Sequence, residues 1–310
     1  MRARSWALAL LGRLGGVLFV VWGAATAGFV ALKLIPGDPV DVMLGVQARV
    51  SEQVKDQIRQ DWGLEDPPVV QYLLYLRRLV TGDLGQSYQL KQPVAEVIGA
   101  QLPSTVALAA LAIGMALAIA LATALFARGG VARHLGFVEL VLVSSPTFWI
   151  GLVLISVFAF GLRWFPLAAA AGLPALILPA LTLALPISGI ISQVLRQSLE
   201  SSALQPFALS ARARGVGPVR LVTHHGLRHA AADGVTLTGY ILGSLLGGAV
   251  LVETVFGRPG IGRVALRAII DRDLPVVLGI IVLAAALFAV INVVVDLSYS
   301  LIDPRLRAPR

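Results

Sequence analysis

Cysteine is absent from all 310 residues, so no disulfide framework, thiolate chemistry or thiolate metal site can operate in this chain. Charge is scarce as well. Only 14% of residues are Asp, Glu, Lys or Arg, against 57% hydrophobic and a mean hydropathy of +0.84. A soluble domain of this length cannot hide so much apolar surface, so lipid must be the solvent for much of it. There is no Gly-x4-Gly-Lys-Ser/Thr phosphate loop, which excludes nucleotide hydrolysis by that route, and Gly215-Val-Gly217 is too short a match to matter. Gly-x-Ser-x-Gly and His-Glu-x-x-His are missing, and no Ser/His/Asp set is arranged for nucleophilic work. No internal repeat or low-complexity tract stands out.

Metal chemistry has little to build on. His224, His225 and His229 cluster, with the last two one helical turn apart, but the nearest carboxylate is Asp233 and the surroundings are basic. Helix-end and interfacial roles fit them better than a metal site. The net charge of +8 would suit a nucleic acid, yet the arginines are scattered between apolar runs instead of forming one stripe. They read as topology-setting flanks, and no nucleic-acid partner is expected.

What is present is a series of uncharged runs: Leu14–Leu32, Val106–Phe126, Leu140–Leu162, Leu173–Leu195, Gly234–Val252 and Leu274–Val295. Each approaches the ~20 residues a helix needs to cross a bilayer. Continuous rather than alternating apolarity excludes a transmembrane barrel. Pro146, Pro179 and Pro186 fall inside spans, where neighbouring groups can re-satisfy the backbone. Arg2, Arg4 and Ala25-Thr26-Ala27 superficially suit a cleaved leader, but Arg13 interrupts the early run and apolar character continues to Leu34. We read an uncleaved first helix.

Arg2, Arg4, Arg13, Arg128, Arg133, Arg196, Arg212, Arg214, Arg220, Arg228, Arg305, Arg307 and Arg310 all fall on one side of the resulting weave. The short loops opposite hold Arg163, and Arg258, Arg263, Arg267 and Arg272 offset by Asp271 and Asp273. Both termini are therefore expected in the cytoplasm. The expected organisation is a tail and first span at 1–35, a small external helical domain at 36–103, a five-helix core at 104–303 with a cytoplasmic loop at 199–230, and a tail at 304–310.

In the external domain, Val50, Val54, Ile58 and Trp62 mark one helix face with Ser51 near its start. A second helix from Pro67-Pro68 is expected to bury Val69, Tyr72, Leu73, Leu76 and Leu79, followed by a turn over 81–87. In the cytoplasmic loop, Pro206 is pre-set for a first helical turn and Gly215 for a left-handed stop, while Pro218 can start a further helix. The helix between would run about nine residues, or roughly 14 Å. Phe207, Ala208 and Ala211 share one side, with Arg212 and Arg214 flanking. A short, stiff, part-apolar plug of this kind is shaped to dock into another protein.

These residues resemble a family. Leu34-Ile-Pro-Gly-Asp-Pro39, Gly63-Leu-Glu-Asp-Pro-Pro68, Gly82-Asp-Leu-Gly85, Ala211-Arg-Ala-Arg-Gly215 with His225-Gly-Leu-Arg-His229, Val252-Glu-Thr-Val-Phe-Gly-Arg-Pro-Gly-Ile-Gly262 and Asp296-Leu-Ser-Tyr-Ser-Leu-Ile-Asp-Pro-Arg305 follow in order between the spans. Together they are similar to permease subunits of bacterial ABC importers of the dipeptide, oligopeptide and nickel branch, over nearly the whole length. The resemblance implies an all-α polytopic membrane protein with six transmembrane helices of the type I importer permease fold. It also implies a second permease, two ATP-binding subunits or domains, and an extracytoplasmic solute-binding protein as partners. ATP and magnesium would be held by the ATPases, with no cofactor in this chain. The ATPase contact would comprise Gln205, Phe207, Ala208, Ala211, Arg212, Ala213, Arg214 and Gly215. The chain departs from the family pattern at Leu209, where an acidic residue is common, at Gln205-Pro206, and at His229, where Asn is more usual.

Polar residues inside spans are the candidates for a passage: Ser144, Ser145 and Thr147 around Pro146, Ser188, then Thr236, Tyr240 and Ser244, and finally Asn292. Asp296, one turn beyond Asn292, must face protein or water, as a hydrogen-bonding or substrate group. Gly239, Gly243 and Gly247 at four-residue spacing form a packing stripe, for a neighbouring helix of this chain or for another subunit. Glu253, Phe256, Arg258, Pro259 and Gly260 are expected at the outer end of the fifth span, as a gate or as a plain loop cap. An importer fed by a binding protein needs only weak, displaceable contacts, so no deep, high-affinity pocket is expected. An ion-driven secondary transporter would instead carry carboxylates near the midplane, and a membrane enzyme would need converging acid, base or metal groups. The chain shows neither pattern.

Overall fold

The computed structural model describes residues 2–34, 40–41, 51–61, 64–126, 129–166, 172–217, 220, 241, 245 and 247–302. Among these, regular structure is helical: α1 Arg2–Leu34, α2 Glu52–Asp61, α3 Pro68–Val80, α4 Val94–Phe126, α5 Gly129–Ser144, α6 Thr147–Leu154, α7 Pro174–Ala203, α8 Pro206–Ala213, α9 at 247–255, α10 Ile261–Ile270 and α11 Leu274–Ile302. They fall into two compact units, one of residues 1–103 with 263–289 and one of 104–262 with 290–310.

Among the described residues, four helical stretches are long and apolar enough to cross a bilayer: Gly12–Leu34, Val94–Leu125, Pro174–Ser202 and Leu274–Val295. The expected third span is not one rod. Gly130–Ser144 and Thr147–Gly161 meet at 111°, because Pro146 donates no backbone hydrogen bond and instead caps α6. Beyond α6 the chain loosens into a π-helical segment, Ile155–Gly161. The second span also starts three turns before the expected Val106, since α4 continues through Pro103. Most of the fifth expected span lies outside the described residues.

In the second unit, Leu108, Ala112, Ala116 and Ala120 form a buried stripe at four-residue spacing on α4. Small side chains let helix backbones approach in lipid, where burial alone gives no drive to associate. They share a core with Leu176, Ala180, Leu183, Ala184, Ile187 and Ile191 of α7. Two-thirds of the α7 span is buried against 11% for α1, which makes α7 the centre of its unit and α1 a largely exposed rod. Where α5 and α7 meet, a side chain at Gly189 would lie 2.9 Å from Val143 Cγ2 and 3.2 Å from the Glu139 carbonyl.

In the first unit, α3 buries none of its residues fully. Tyr72, Leu76 and Leu79 are half-buried as expected, but Val69 and Leu73 are 68% and 58% exposed. The helix is rolled so that Tyr72 and Tyr75 meet Phe29 of α1, at ring-centroid distances of 5.4 and 5.8 Å. Val54 of α2 is exposed as well, while Val50, Trp62 and the Ile58 side chain lie outside the described residues.

Candidate functional site

Pro206 occupies the first turn of α8, and Gln205 precedes it in extended conformation. The helix has eight residues rather than nine and ends in a Schellman closure. The Val216 N–H donates to the Ala211 carbonyl (3.1 Å) and the Gly215 N–H to Arg212 (2.9 Å), with Gly215 at φ +78°. Val216 packs on the Ala208–Ala211 pair, completing the apolar contact such a closure favours.

That packing alters the expected docking face. Ala208 and Ala211 are buried at 0% and 2% exposure against this chain itself, and Phe207 is half-buried beside them. An alanine stripe turned inward cannot also meet a partner. The presented surface is instead Leu204, Gln205, Leu209, Arg212, Ala213 and Arg214, all exposed, with Leu209 at 63%. Leu209, the position lacking the usual acidic residue, thus becomes the apolar tip. Pro218, His224, His225 and His229 lie outside the described residues.

The loop after α9, read from sequence as the outer one, is built around a buried carboxylate. Glu253, fully buried on α9, accepts a hydrogen bond from Thr105 Oγ1 at 2.6 Å, and Thr105 accepts one from the Ile261 N–H at 2.9 Å. Ser104 Oγ donates to the Pro259 carbonyl at 2.7 Å. A side chain at Gly260 would come within 2.1 Å of the Glu253 carboxylate, and one at Gly262 within 2.4 Å of Val250 Cα. The loop therefore closes down on α9 and on the residues after Pro103. Phe256 is buried. Arg258 Nη1 donates to the Ala175 carbonyl at 3.1 Å. That carbonyl is the acceptor left free by Pro179, which has no N–H to offer it. Burial lowers the Arg258 guanidinium from its ordinary value, with Glu253 opposing the shift.

Of the eight candidate passage residues, Ser144, Ser145, Thr147, Ser188 and Asn292 are among the described residues. Ser145 Oγ donates to the Val141 carbonyl and Ser188 Oγ to Leu185, so both hydroxyls are spent within their own helices. Ser144 and Asn292 are exposed and Thr147 is half-buried. Thr236, Gly239, Tyr240, Gly243, Ser244 and the Asp296 side chain lie outside the described residues. A methyl group added at Gly247 would meet nothing within 4 Å, whereas one at the neighbouring Gly248 would face Leu183 at 3.2 Å. Of the two described glycines on this helix, Gly248 is the one in close approach. In the first unit, Phe29, Tyr75 and Leu278 line a partly open cavity of 170 Å³.

Two polar arrangements escaped the sequence reading. Glu139 on α5 holds Arg196 on α7 in a two-pronged ion pair, with Nη1 to Oε1 at 2.9 Å and Nη2 to Oε2 closer still. Asp273, buried just before α11, accepts from Ser87 Oγ (2.5 Å) and the Tyr88 (3.1 Å) and Gln89 (3.3 Å) N–H groups. The available signal was a carboxylate at the margin of an apolar run, in each case facing a partner far away in sequence.

Comparison with known proteins agrees with this geometry. Residues 114–308 match the family described as binding-protein-dependent transport system inner membrane component, and residues 8–109 match its N-terminal counterpart. A Brucella abortus (strain 2308) chain named as a peptide transport system permease protein is 36% identical, covering 96% of this chain and 98% of that one. The glutathione transport system permease protein GsiC of Salmonella paratyphi A is 34% identical over the same shares. A crystal structure of an amino acid ABC transporter superposes with a TM-score of 0.53 at 17% identity, covering 66% of this chain and 94% of that one, a likeness of fold.

Proposed function

The chain belongs to the binding-protein-dependent transport inner membrane component family, and from that premise we propose that it forms part of the translocation pathway of an ATP-driven importer of di- or oligopeptides. Its relatives' names, which include peptide and glutathione systems, support this cargo class. The partners are a second permease, two ATPases that hold ATP and magnesium, and an extracytoplasmic solute-binding protein. Both termini face the cytoplasm of a bacterial inner membrane, as the arginine distribution favours. The chain itself is the passive, non-catalytic half.

The observation that carries the reading is α8, pinned through Ala208 and Ala211 and closed at Gly215 while presenting Leu209, Arg212 and Arg214 outward. A lever must be stiff to pass on displacement, and a helix capped at its end and anchored on one face meets that need. Because the chain lacks cysteine, Leu209→Cys and Ala211→Cys each introduce one thiol. In the assembled transporter, Leu209→Cys is expected to crosslink to a thiol on the ATPase surface in a nucleotide-dependent manner, and Ala211→Cys is not. Failure of every exposed position from 204 to 214 to crosslink in an active complex overturns the assignment. Uptake into liposomes driven by an ion gradient without ATP would replace it with a secondary transporter.

A further inference from the structure

The short helix α3 carries a second surface that the transport reading leaves unused. It is a 13-residue helix with no acidic residue. At ~100° per residue, Val69, Leu73 and Val80 fall within one narrow arc, while Gln71 and Arg78 fall on nearly the opposite side. The three apolar side chains are 68%, 58% and 89% exposed. A soluble surface helix would turn that arc inward.

Contacts with α1 fix the direction in which each pole points. Gln71, on the polar side, accepts a hydrogen bond from Lys33 Nζ at 2.5 Å, in the last turn of α1. Tyr72, on the flank nearer the apolar arc, shares a 2.7 Å hydrogen bond with Thr26. Thr26 lies eight residues before Leu34, so roughly 12 Å further into the span at the usual rise. The polar pole of α3 therefore points toward the end of the span, and the apolar pole toward its middle. Both contacts fall within Gly12–Leu34, the stretch of α1 that is apolar enough to sit in hydrocarbon.

We infer that α3 lies in the plane of the membrane at the C-terminal end of α1, with Val69, Leu73 and Val80 seated among lipid chains rather than beneath a protein partner. Amphipathic in-plane helices sit about 5–10 Å into the headgroup boundary, the depth at which α3 crosses α1, and basic residues suit that level. Arg77 and Arg78, both exposed, can extend their heads toward the phosphates while their stems stay in the apolar layer. The leaflet's identity, the outer one, rests on the topology proposed above; the depth does not.

Single nitroxide labels at Leu73→Cys and Val69→Cys, in the assembled transporter in phospholipid nanodiscs, test this against Phe19→Cys on exposed α1 and Glu65→Cys before α3. Relaxation by oxygen relative to a water-soluble nickel chelate should match the Phe19 label and exceed the Glu65 label several-fold. A Leu73 label as open to nickel as the Glu65 label overturns the inference in favour of a solvated surface. A label shielded from both reagents overturns it in favour of a protein partner. An impermeant maleimide added outside intact cells should label Arg78→Cys. Labelling only after the membrane is opened would refute the proposed topology, while the nitroxide depth would still stand or fall by itself.

Discussion

Replacing Arg196 by Met should cost more than replacing both members of its ion pair. Glu139 is 8% exposed and Arg196 18%, so neither charge is well hydrated. Removing one partner from a buried pair costs about 3–5 kcal/mol, because the other charge is left uncompensated. Arg196→Met strands the more buried carboxylate and should cost about 3 kcal/mol, the low end of that range. Glu139→Leu strands a guanidinium with some access to water and a long stem, and should cost about half as much. The combined Glu139→Leu, Arg196→Met variant removes both desolvation terms and should return to within about 1 kcal/mol of the parent. Thermal unfolding of the purified complex, followed by its own tryptophan fluorescence, gives the ranking. At about 2 °C per kcal/mol for a chain of this size, Arg196→Met should lose roughly 6 °C and the double variant most of that back. If the double variant loses the sum of the two single losses, the charges act independently and the clamp between α5 and α7 does not exist as described.

Gly215→Ala places a side chain at φ +78° and should cost about 1–2 kcal/mol, with Gly215→Asn milder; the check is transport per ATP hydrolysed, which should fall more than ATP hydrolysis itself. Gly260→Ala puts a methyl group 2.1 Å from the Glu253 carboxylate, and Gly262→Ala puts one against the α9 backbone. Both should reduce the yield of folded complex, and Glu253→Ala in the Gly260→Ala background should recover part of the loss only there. Equal recovery of Gly262→Ala by Glu253→Ala would mean the overlap at Gly260 is not the cause.

The spans were legible because ~20 uncharged residues in a row have few other uses. The eight-residue helix α8 was legible too, since Pro206 and Gly215 act through local backbone geometry that does not depend on the rest of the fold. Prolines inside spans were not separable by sequence. Pro146 breaks its span at 111°, whereas Pro179 sits within a continuous α7 whose freed carbonyl is taken by Arg258, more than seventy residues away. The face of a short helix was equally hidden. Periodicity placed Ala208 and Ala211 on one side of α8, and Val69 and Leu73 on one side of α3, but could not tell whether chain, lipid or partner covers it. Alanine proved to face inward and Val69 and Leu73 outward, the reverse of both expectations. Glu139 and Arg196 looked like ordinary span flanks because a separation of 57 in sequence conceals that α5 and α7 are neighbours.

These long-range contacts gather on α7. Near its start, the Ala175 carbonyl holds Arg258 of the outer loop; in its second half, Gly189 admits the α5 backbone and Arg196 grips Glu139; three residues past its end, α8 begins. Thirty residues of helix span roughly 45 Å, so one rod reaches from the Arg258 loop to α8. In the proposed transport cycle, a push on Leu209 therefore has a stiff element to travel along, and α5 must move with it because the ion pair and the Gly189 contact tie the two together. The bend at Pro146 then lets the chain meet α7 twice: α5 is held by the ion pair and Gly189, while α6, turned at 111° from it, packs into the α7 core through Ile150, Leu154 and Gly151. Transport should accordingly depend on Pro146 as the corner that brings both arms onto α7 and on Glu139–Arg196 as the fastening of the first, two roles that a single unbroken third span could not combine.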